Sequence, residues 1–264
     1  MPENMFRGVR WVDETGSTNS DVIREARAGA GEGLVIATMN QVAGRGRLDR
    51  TWVAPRDSSL AFSVLLAPEP VFSQWGWLSL LAGMAVHDTI DELAGVPGRV
   101  QLKWPNDVLI DSRKVCGILS ERIESPDGPR AVIGIGVNIS IPEGELPVPT
   151  ATSLRIAGLP EDPVRLLEGV LNRFQSLYGC WQASGEMRRE YRERCASIGT
   201  ELRIVVDAAT EVSGTGLGID ELGRLQMATA SGVRVFSAGD VIHARMDQSM
   251  TDLGHGEKQG TAGP

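Results

Sequence analysis

The sequence predicts an α+β fold in which a mixed β-sheet packs against helices and a small β-barrel follows towards the C-terminus. Four apolar runs between residues 100 and 139 are separated only by short turns, a spacing typical of neighbouring strands in an antiparallel or mixed sheet. Residues 75–93 are apolar around most of a helical circumference, which predicts a helix buried in the core. Beyond residue 199, short strands alternate with turns every few residues, as in a small barrel.

The individual elements follow from local patterns. A strand is predicted at 9–13 and a helix from the polar turn Gly16-Ser17-Thr18-Asn19 to residue 28, because small polar side chains cap helices. Residues 41–57 are rich in Gly, Arg and polar groups, which predicts a long loop, and such loops inside compact domains are often functional. Further strands are predicted at 34–37, 60–66, 100–103, 107–110, 114–123, 131–139, 201–206, 211–219, 224–228, 233–236 and 240–244, and further helices at 163–181 and 186–195.

Length and composition limit the possible architectures and partners. A chain of 264 residues accommodates one large and one small domain, and we expect a large domain at 1–197, a second domain at 198–246 and a disordered, Gly-rich tail at 247–264. The net charge of −8 argues against bulk nucleic-acid binding, which needs surplus cations to replace phosphate counterions. No membrane segment, export signal or Cys-x-x-Cys pair is evident, so we expect a cytoplasmic protein with reduced thiols.

The first chemical signal is the segment Gly-Arg-Gly-Arg-Leu-Asp-Arg-Thr-Trp at residues 44–52. Its glycines allow backbone N–H groups to approach an anion, its arginines supply fixed cations, and its tryptophan can stack on a planar ring. An Arg-rich solvated turn or a nucleic-acid-binding arm would have a similar composition. The residues that carry the signal are Gly44, Arg45, Gly46, Arg47, Arg50 and Trp52.

Two further motifs follow in the predicted strands. Lys103, Asn106 and Asp107 flank a Trp-Pro turn, where lysine suits a phosphate and Asp with Asn suits Mg²⁺, although a simple strand-end turn is the alternative. In Lys114-Val115-Cys116-Gly117, strand alternation predicts Lys114 and Cys116 on one face and Val115 on the other. Gly117 inside a strand indicates close approach of a ligand, whereas Lys114 taken alone could be an ordinary surface lysine.

The fourth motif is Gly134-Ile135-Gly136-Val137-Asn138. It lacks the third glycine of a dinucleotide-binding fingerprint, and a strand continues where a helix should begin, so that interpretation is rejected. The Asn138 amide has the geometry to pair with adenine.

Taken in this order, the motifs resemble the biotin–protein ligase family over residues 10 to 155. The resemblance implies a catalytic fold of the class II aminoacyl-tRNA synthetase and biotin ligase type, with a small SH3-like domain at the C-terminal end. Two departures are visible: Asp49 stands where the family often has glycine, and only 15 residues precede Gly16, too few for the DNA-binding domain of many members. Repressor function is therefore not expected.

The resemblance also implies roles for individual residues. Ser17, Thr18, Asn19 and Gln41 would bind biotin, with the loop carrying Gly44, Arg45, Gly46, Arg47, Arg50 and Trp52 closing over biotin and its adenylate. Lys114 would contact the biotin carboxylate and the α-phosphate, and Gly117 would line the biotin slot. Lys103, Asn106 and Asn138 would bind ATP, and Asn106 with Asp107 would hold Mg²⁺. The residues expected to act in catalysis are Arg47, Lys103, Asp107 and Lys114.

The implied activity is formation of biotinyl-5′-AMP from biotin and MgATP, followed by transfer of biotin to a lysine of a biotin carboxyl carrier domain in an acyl-CoA or pyruvate carboxylase. No DNA or membrane partner is expected, and the oligomeric state, monomer or weak dimer, is left open. Two alternatives are a lipoate–protein ligase-like enzyme and a biotin sensor without transfer activity. The Gly-Arg-Gly-Arg and Lys-Trp-Pro-Asn-Asp strings favour biotin, and the intact set of polar residues argues against a sensor.

Overall fold

The computed structural model describes residues 5–6, 8–48, 50–206, 210–237 and 239–243. Asp49, which departs from the glycine common in the family, and the predicted tail at 247–264 lie outside the described residues. The strands are β1 (Val9–Trp11), β2 (Val35–Thr38), β3 (Gly44–Arg45), β4 (Thr51–Trp52), β5 (Ser59–Leu66), β6 (Val100–Lys103), β7 (Asp107–Ile110), β8 (Arg113–Ser125), β9 (Gly128–Asn138), β10 (Glu201–Val205), β11 (Glu211–Ile219), β12 (Leu225–Thr229), β13 (Gly232–Phe236) and β14 (Asp240–His243). The α-helices of the described residues are α1 (Thr18–Arg27), α2 (Trp77–Ala94), α3 (Pro163–Ser184) and α4 (Arg188–Arg192).

A seven-stranded mixed sheet forms the larger part of the fold, in the order β1-β2-β5-β9-β8-β7-β6. β1 runs parallel to β2, and the other neighbours are antiparallel. The predicted loop at 41–57 is not irregular throughout, because β3 and β4 pair as a short hairpin in which Gly44 lies opposite Trp52. We refer to residues 44–52 as the arginine hairpin.

The two faces of this sheet are covered by different helices. One face carries the main core, where α2 buries twelve of its eighteen residues, in agreement with the apolar pattern that predicted a buried helix. The other face carries α1 over a small apolar cluster that includes Val22, Ile36 and Val132. Because α1 covers only part of that face, the neighbouring strands β8 and β9 are left accessible beside its N-terminus. No helix in the described ranges is long and apolar enough to span a bilayer.

A β-bulge in β8 changes which residues face the accessible side. Val108 pairs with Cys116 while Leu109 pairs with Lys114, so Val115 is an extra residue in the ladder. The bulge interrupts the two-residue alternation, and Lys114 therefore shares a face with Gly117. Cys116 is buried in the main core on the opposite face, so the prediction that Lys114 and Cys116 lie on one face is wrong.

The second sheet is antiparallel, with the strand order β13-β12-β11-β10-β14. Two indoles bind the turn between β11 and β12 of this sheet: Trp77 Nε1 of α2 donates to Glu221 O (2.9 Å), and Trp104 Nε1 donates to Gly223 O (3.1 Å). Trp104 belongs to the Trp-Pro turn between β6 and β7. The second sheet is therefore held directly against the turn that carries Asn106 and Asp107.

Candidate active site

Small residues on three adjacent strands form a flat floor on the accessible face of the sheet. Gly136 of β9 lies opposite Gly117 of β8 on one side and Ala61 of β5 on the other. The indole of Trp52 lies across this floor, since a Cβ atom at Gly136 would come within 2.7 Å of Trp52 Cε2. Any larger side chain at Gly117 or Gly136 would displace the tryptophan, which explains these two glycines in steric terms.

A cavity of about 150 Å³ lies at this floor, enclosed by residues from α1, the arginine hairpin and the Trp-Pro turn. Most of the residues that the sequence predicted for ligand binding meet here. They are Ser17, Thr18, Asn19, Gln41, Arg45, Gly46, Arg47, Arg50, Trp52, Asn106, Asp107, Lys114 and Gly117.

The polar corner of the cavity is built where β1 and β2 end. Their parallel pairing continues beyond both strands, with Thr15 N bound to Asn40 O (3.1 Å) and Val42 N bound to Thr15 O (2.9 Å). This brings Gln41 to the start of α1, where its Oε1 accepts the Thr18 N–H at 2.9 Å. Ser17 occupies the N-cap position of α1, yet its side chain makes no capping hydrogen bond there. Its hydroxyl is therefore available at the cavity wall.

The cationic end of the cavity is organised by the Trp-Pro turn. Lys114 Nζ lies 2.6 Å from Asp107 Oδ1. Arg47 reaches across from the arginine hairpin and donates to Asn106 Oδ1 (3.1 Å), while Asn106 Nδ2 donates to Ile118 O (2.8 Å). Three motifs that are distant in sequence thus meet at one end of the floor.

This arrangement limits how the protein can hold Mg²⁺. Both ends of the Asn106 amide have protein partners, and Asp107 is the one carboxylate among the described residues that line this cavity. Across the described residues, no three His, Cys, Asp or Glu side chains are grouped as a metal site. The donor set fits an ion that arrives with a nucleotide and keeps its phosphate and water ligands, with Asp107 as the protein carboxylate nearest to it.

A second cavity, of about 580 Å³, adjoins the first. Lys103 and Asn138 line this one, and Trp52, Asp107 and Lys114 border both. Asn138 is buried, and its Nδ2 donates to Thr152 O at 2.9 Å. The amide nitrogen that was expected to meet adenine therefore has a protein partner.

The segment that Asn138 holds was missed by sequence reasoning. Lys114 N donates to Thr150 O (2.8 Å), and Thr152 N donates to Lys114 O (2.8 Å). Residues 150–152 thus fix the backbone of Lys114 at the bulge, in addition to its pairing with Leu109 of β7. Nothing local in the segment signals this role, because it acts through main-chain atoms.

Gly44 is the predicted site residue that contributes by packing alone. It is buried, and a Cβ atom there would lie 2.6 Å from Trp52 O and 2.5 Å from Gln41 Nε2. Only glycine allows β3 to pass this close to both residues.

Sequence reasoning also missed Glu121. Its carboxylate receives both Nη atoms of Arg45, at 3.0 and 2.8 Å, which ties the arginine hairpin to β8. Glu121 lies four residues beyond Gly117 in an exposed part of β8, and in the sequence it resembles any solvated strand carboxylate.

Comparisons with known proteins agree with this architecture. Residues 12–138 match the biotin/lipoate A/B protein ligase family, and residues 203–244 match the biotin protein ligase C-terminal domain. The chain is 38% identical over 245 residues to the biotin–[acetyl-CoA-carboxylase] ligase of Mycobacterium tuberculosis, which covers 91% of this chain and 90% of that protein. Identity to the bifunctional ligase/repressor of Bacillus subtilis is 32% over 246 residues, covering 90% and 75% respectively.

A solved structure gives the same answer. The biotin protein ligase from Aquifex aeolicus, in complex with biotin and ATP, superposes with a TM-score of 0.74 at 27% identity, covering 90% of this chain and 99% of that one. The fold and the order of motifs define the biotin/lipoate class of protein ligases. Within that class, the chain belongs to the biotin protein ligase family. The family and fold class predicted from the sequence are confirmed.

Proposed function

We propose that this chain activates biotin with MgATP as biotinyl-5′-AMP and transfers the biotinyl group to a lysine of a biotin carboxyl carrier domain. The observation that carries the proposal is the position of Lys114 and Asp107 on the border of two cavities. One cavity has a flat floor of Gly117, Gly136 and Ala61, suited to an apolar ring system. The other is larger and is suited to a nucleotide.

In the first step an oxygen of the biotin carboxylate attacks the α-phosphorus, and the bond from that phosphorus to the bridging oxygen of pyrophosphate breaks. Two anions must approach each other, so the barrier is largely electrostatic. Lys114 and Arg47 lie at the cationic end of the first cavity and would stabilise the charge that develops on the α-phosphate. Lys103, on the wall of the second cavity, would hold the departing phosphates.

In the second step the amine nitrogen of the acceptor lysine attacks the carbonyl carbon of the mixed anhydride, and the bond from that carbon to the AMP oxygen breaks. The attacking amine must lose a proton. Asp107 is the carboxylate beside the reacting centre. Its Oδ1 lies 2.6 Å from Lys114 Nζ, and this ion pair fixes the orientation of the carboxylate. We propose that Asp107 orients the attacking amine and accepts its proton.

The decisive experiment mixes the protein with biotin, MgATP and a biotin carboxyl carrier domain and measures the mass of the carrier. A mass increase equal to one biotinyl group, dependent on both biotin and ATP, is expected. The same reaction with lipoate in place of biotin distinguishes the lipoate ligase-like alternative. Biotin binding without pyrophosphate release would identify a sensor and contradict the proposal.

A further inference from the structure

The side chains beside the polar corner of the cavity form a continuous line of hydrogen bonds that ends on Glu121. Ser63 Oγ donates to Asn19 Oδ1 (2.6 Å), and Asn19 Nδ2 donates to Glu121 Oε2 (2.7 Å). Thr18 Oγ1 lies 2.7 Å from Ser63 Oγ. Since the single Ser63 proton is directed to Asn19, the Thr18 hydroxyl supplies the proton between them, which it shares with Gln41 Oε1 at 3.3 Å. The Asn19 amide therefore connects the Ser63 hydroxyl to the Glu121 carboxylate.

The arginine hairpin meets the same carboxylate from the other side. Arg45 binds it through two parallel N–H···O bonds, with side-chain exposures of 44% for Arg45 and 24% for Glu121. Arg45 lies opposite Thr51 in the hairpin, and Gly44 lies opposite Trp52. Fixing Arg45 therefore fixes β4, which carries the indole that lies on the glycine floor.

From this connectivity we infer that Glu121 is a positioning residue that latches the arginine hairpin over the cavity. The inference rests on the proposed function only for its consequence in the reaction: a latched hairpin keeps Trp52 in place and retains the reactive adenylate. Glu121 touches neither cavity floor nor Lys114. It holds the hairpin through its ion pair with Arg45, and it contacts the polar corner of the cavity through its hydrogen bond with Asn19.

The substitution Glu121→Gln separates these two connections. Glutamine has the same shape but a single acceptor oxygen, whereas the site presents N–H donors from both Arg45 and Asn19. If the oxygen takes the position of Oε2, which accepts from Asn19, the amide group takes the position of Oε1 and faces Arg45 Nη1, donor against donor. The latch is then weakened while the Asn19 bond is retained.

Limited trypsin digestion of the full chain, without biotin or nucleotide, reports directly on the hairpin, because Arg45, Arg47 and Arg50 are cleavage sites within it. Glu121→Gln is expected to raise the cleavage rate in this segment about three- to tenfold, the range for a half-exposed bidentate ion pair. Glu124→Gln is the matched control, since Glu124 is an exposed carboxylate on the same strand that pairs with Arg122. Its cleavage rate should equal that of the parent. An unchanged rate in Glu121→Gln overturns the latch.

A double variant distinguishes a latch from general destabilisation. Arg45→Gln, which leaves two cleavage sites, should raise cleavage by the same factor, and adding Glu121→Gln should raise it no further. A further rise in the double variant would mean that Glu121 acts through folding, which contradicts the proposal.

The reaction provides a second readout. In Glu121→Gln, preformed adenylate should dissociate about three- to tenfold faster, while KM for biotin stays within about twofold. An equal rise in KM would place Glu121 in biotin binding itself and overturn the inference. If the parent forms no adenylate, the proposed function fails, and the trypsin result still decides on the latch.

Discussion

Replacing Gly134 with alanine is expected to destabilise the protein and disturb the polar corner of the cavity, although the new methyl group is small and the backbone of Gly134 is that of an ordinary strand. Gly134 lies in β9 between Ser63 of β5 and Leu119 of β8. A Cβ atom there would lie 2.1 Å from Asn19 Oδ1 and 2.8 Å from Asn19 Cγ. Asn19 would have to move by more than ~1 Å to restore van der Waals contact.

Asn19 cannot move that far without losing its partners. It is 3% exposed, and its amide is held at 2.6 Å by Ser63 and at 2.7 Å by Glu121. Overpacking costs about 1–3 kcal/mol, and loss of the buried bonds costs about 1–3 kcal/mol, so the free energy of unfolding should fall by roughly 2–6 kcal/mol. Elsewhere in a strand, Gly→Ala stabilises by about 0.5–1 kcal/mol, which is the opposite sign.

Urea unfolding followed by tryptophan fluorescence measures this difference, with Gly218→Ala as the matched control. Gly218 lies in β11, and a Cβ atom at that position meets no atom within 4 Å. The control should be as stable as the parent or slightly more so. In an Asn19→Ala background, Gly134→Ala should cost less than about 1 kcal/mol, because the obstructing amide is gone. If Gly134→Ala as a single substitution leaves the free energy of unfolding unchanged, the proposed clash with Asn19 is refuted.

Three further outcomes are expected. Lys114→Ala should reduce pyrophosphate release at least about a hundredfold with an unchanged circular dichroism spectrum, and near-normal release would remove Lys114 from the mechanism. Arg47→Gly should weaken adenylate retention about ten- to a hundredfold more than biotin binding, which mass spectrometry would detect as biotin on bystander lysines; parental selectivity would contradict this. Burial, followed by the nearby Lys103 charge, lowers the pKa of His243 from 6.5 to about 4. The unfolded chain therefore takes up the proton first as the pH falls, and up to about 3 kcal/mol of stability, present above pH 6.5, is lost by pH 4. Urea titrations of the parent and His243→Gln at pH 7, 5.5 and 4 test this, and parallel pH profiles would count against it.

Several features were predictable from the sequence because they depend on neighbouring residues. The predicted strands at 100–103 and 107–110 coincide with β6 and β7, and the buried helix at 75–93 corresponds to α2. A strand or an amphipathic helix leaves its period in the side-chain pattern, and a turn leaves its glycines and prolines. The four motifs and their order carried the family resemblance for the same reason.

Other features depend on contacts between distant segments. The bulge at Val115 reverses the face of Lys114, and alternation of side chains along the sequence gives no sign of it. Asn19 was expected to bind substrate, but its amide is held by Ser63 and Glu121, 44 and 102 residues away in sequence. Such pairings are set by strand register, which is decided when the whole sheet assembles.

The sequence by itself therefore determined the family, the two-sheet architecture and the residue types that meet around the cavity. The tertiary structure decided which of those residues remain available to a ligand and which are held by the protein. Lys114 is aimed at the cavity by a bulge and by the main chain of residues 150–152, while Asn138 Nδ2 donates to Thr152 O. The physical reason is that hydrogen-bonding capacity belongs to each residue, whereas its partner depends on what the fold brings within about 3 Å of it.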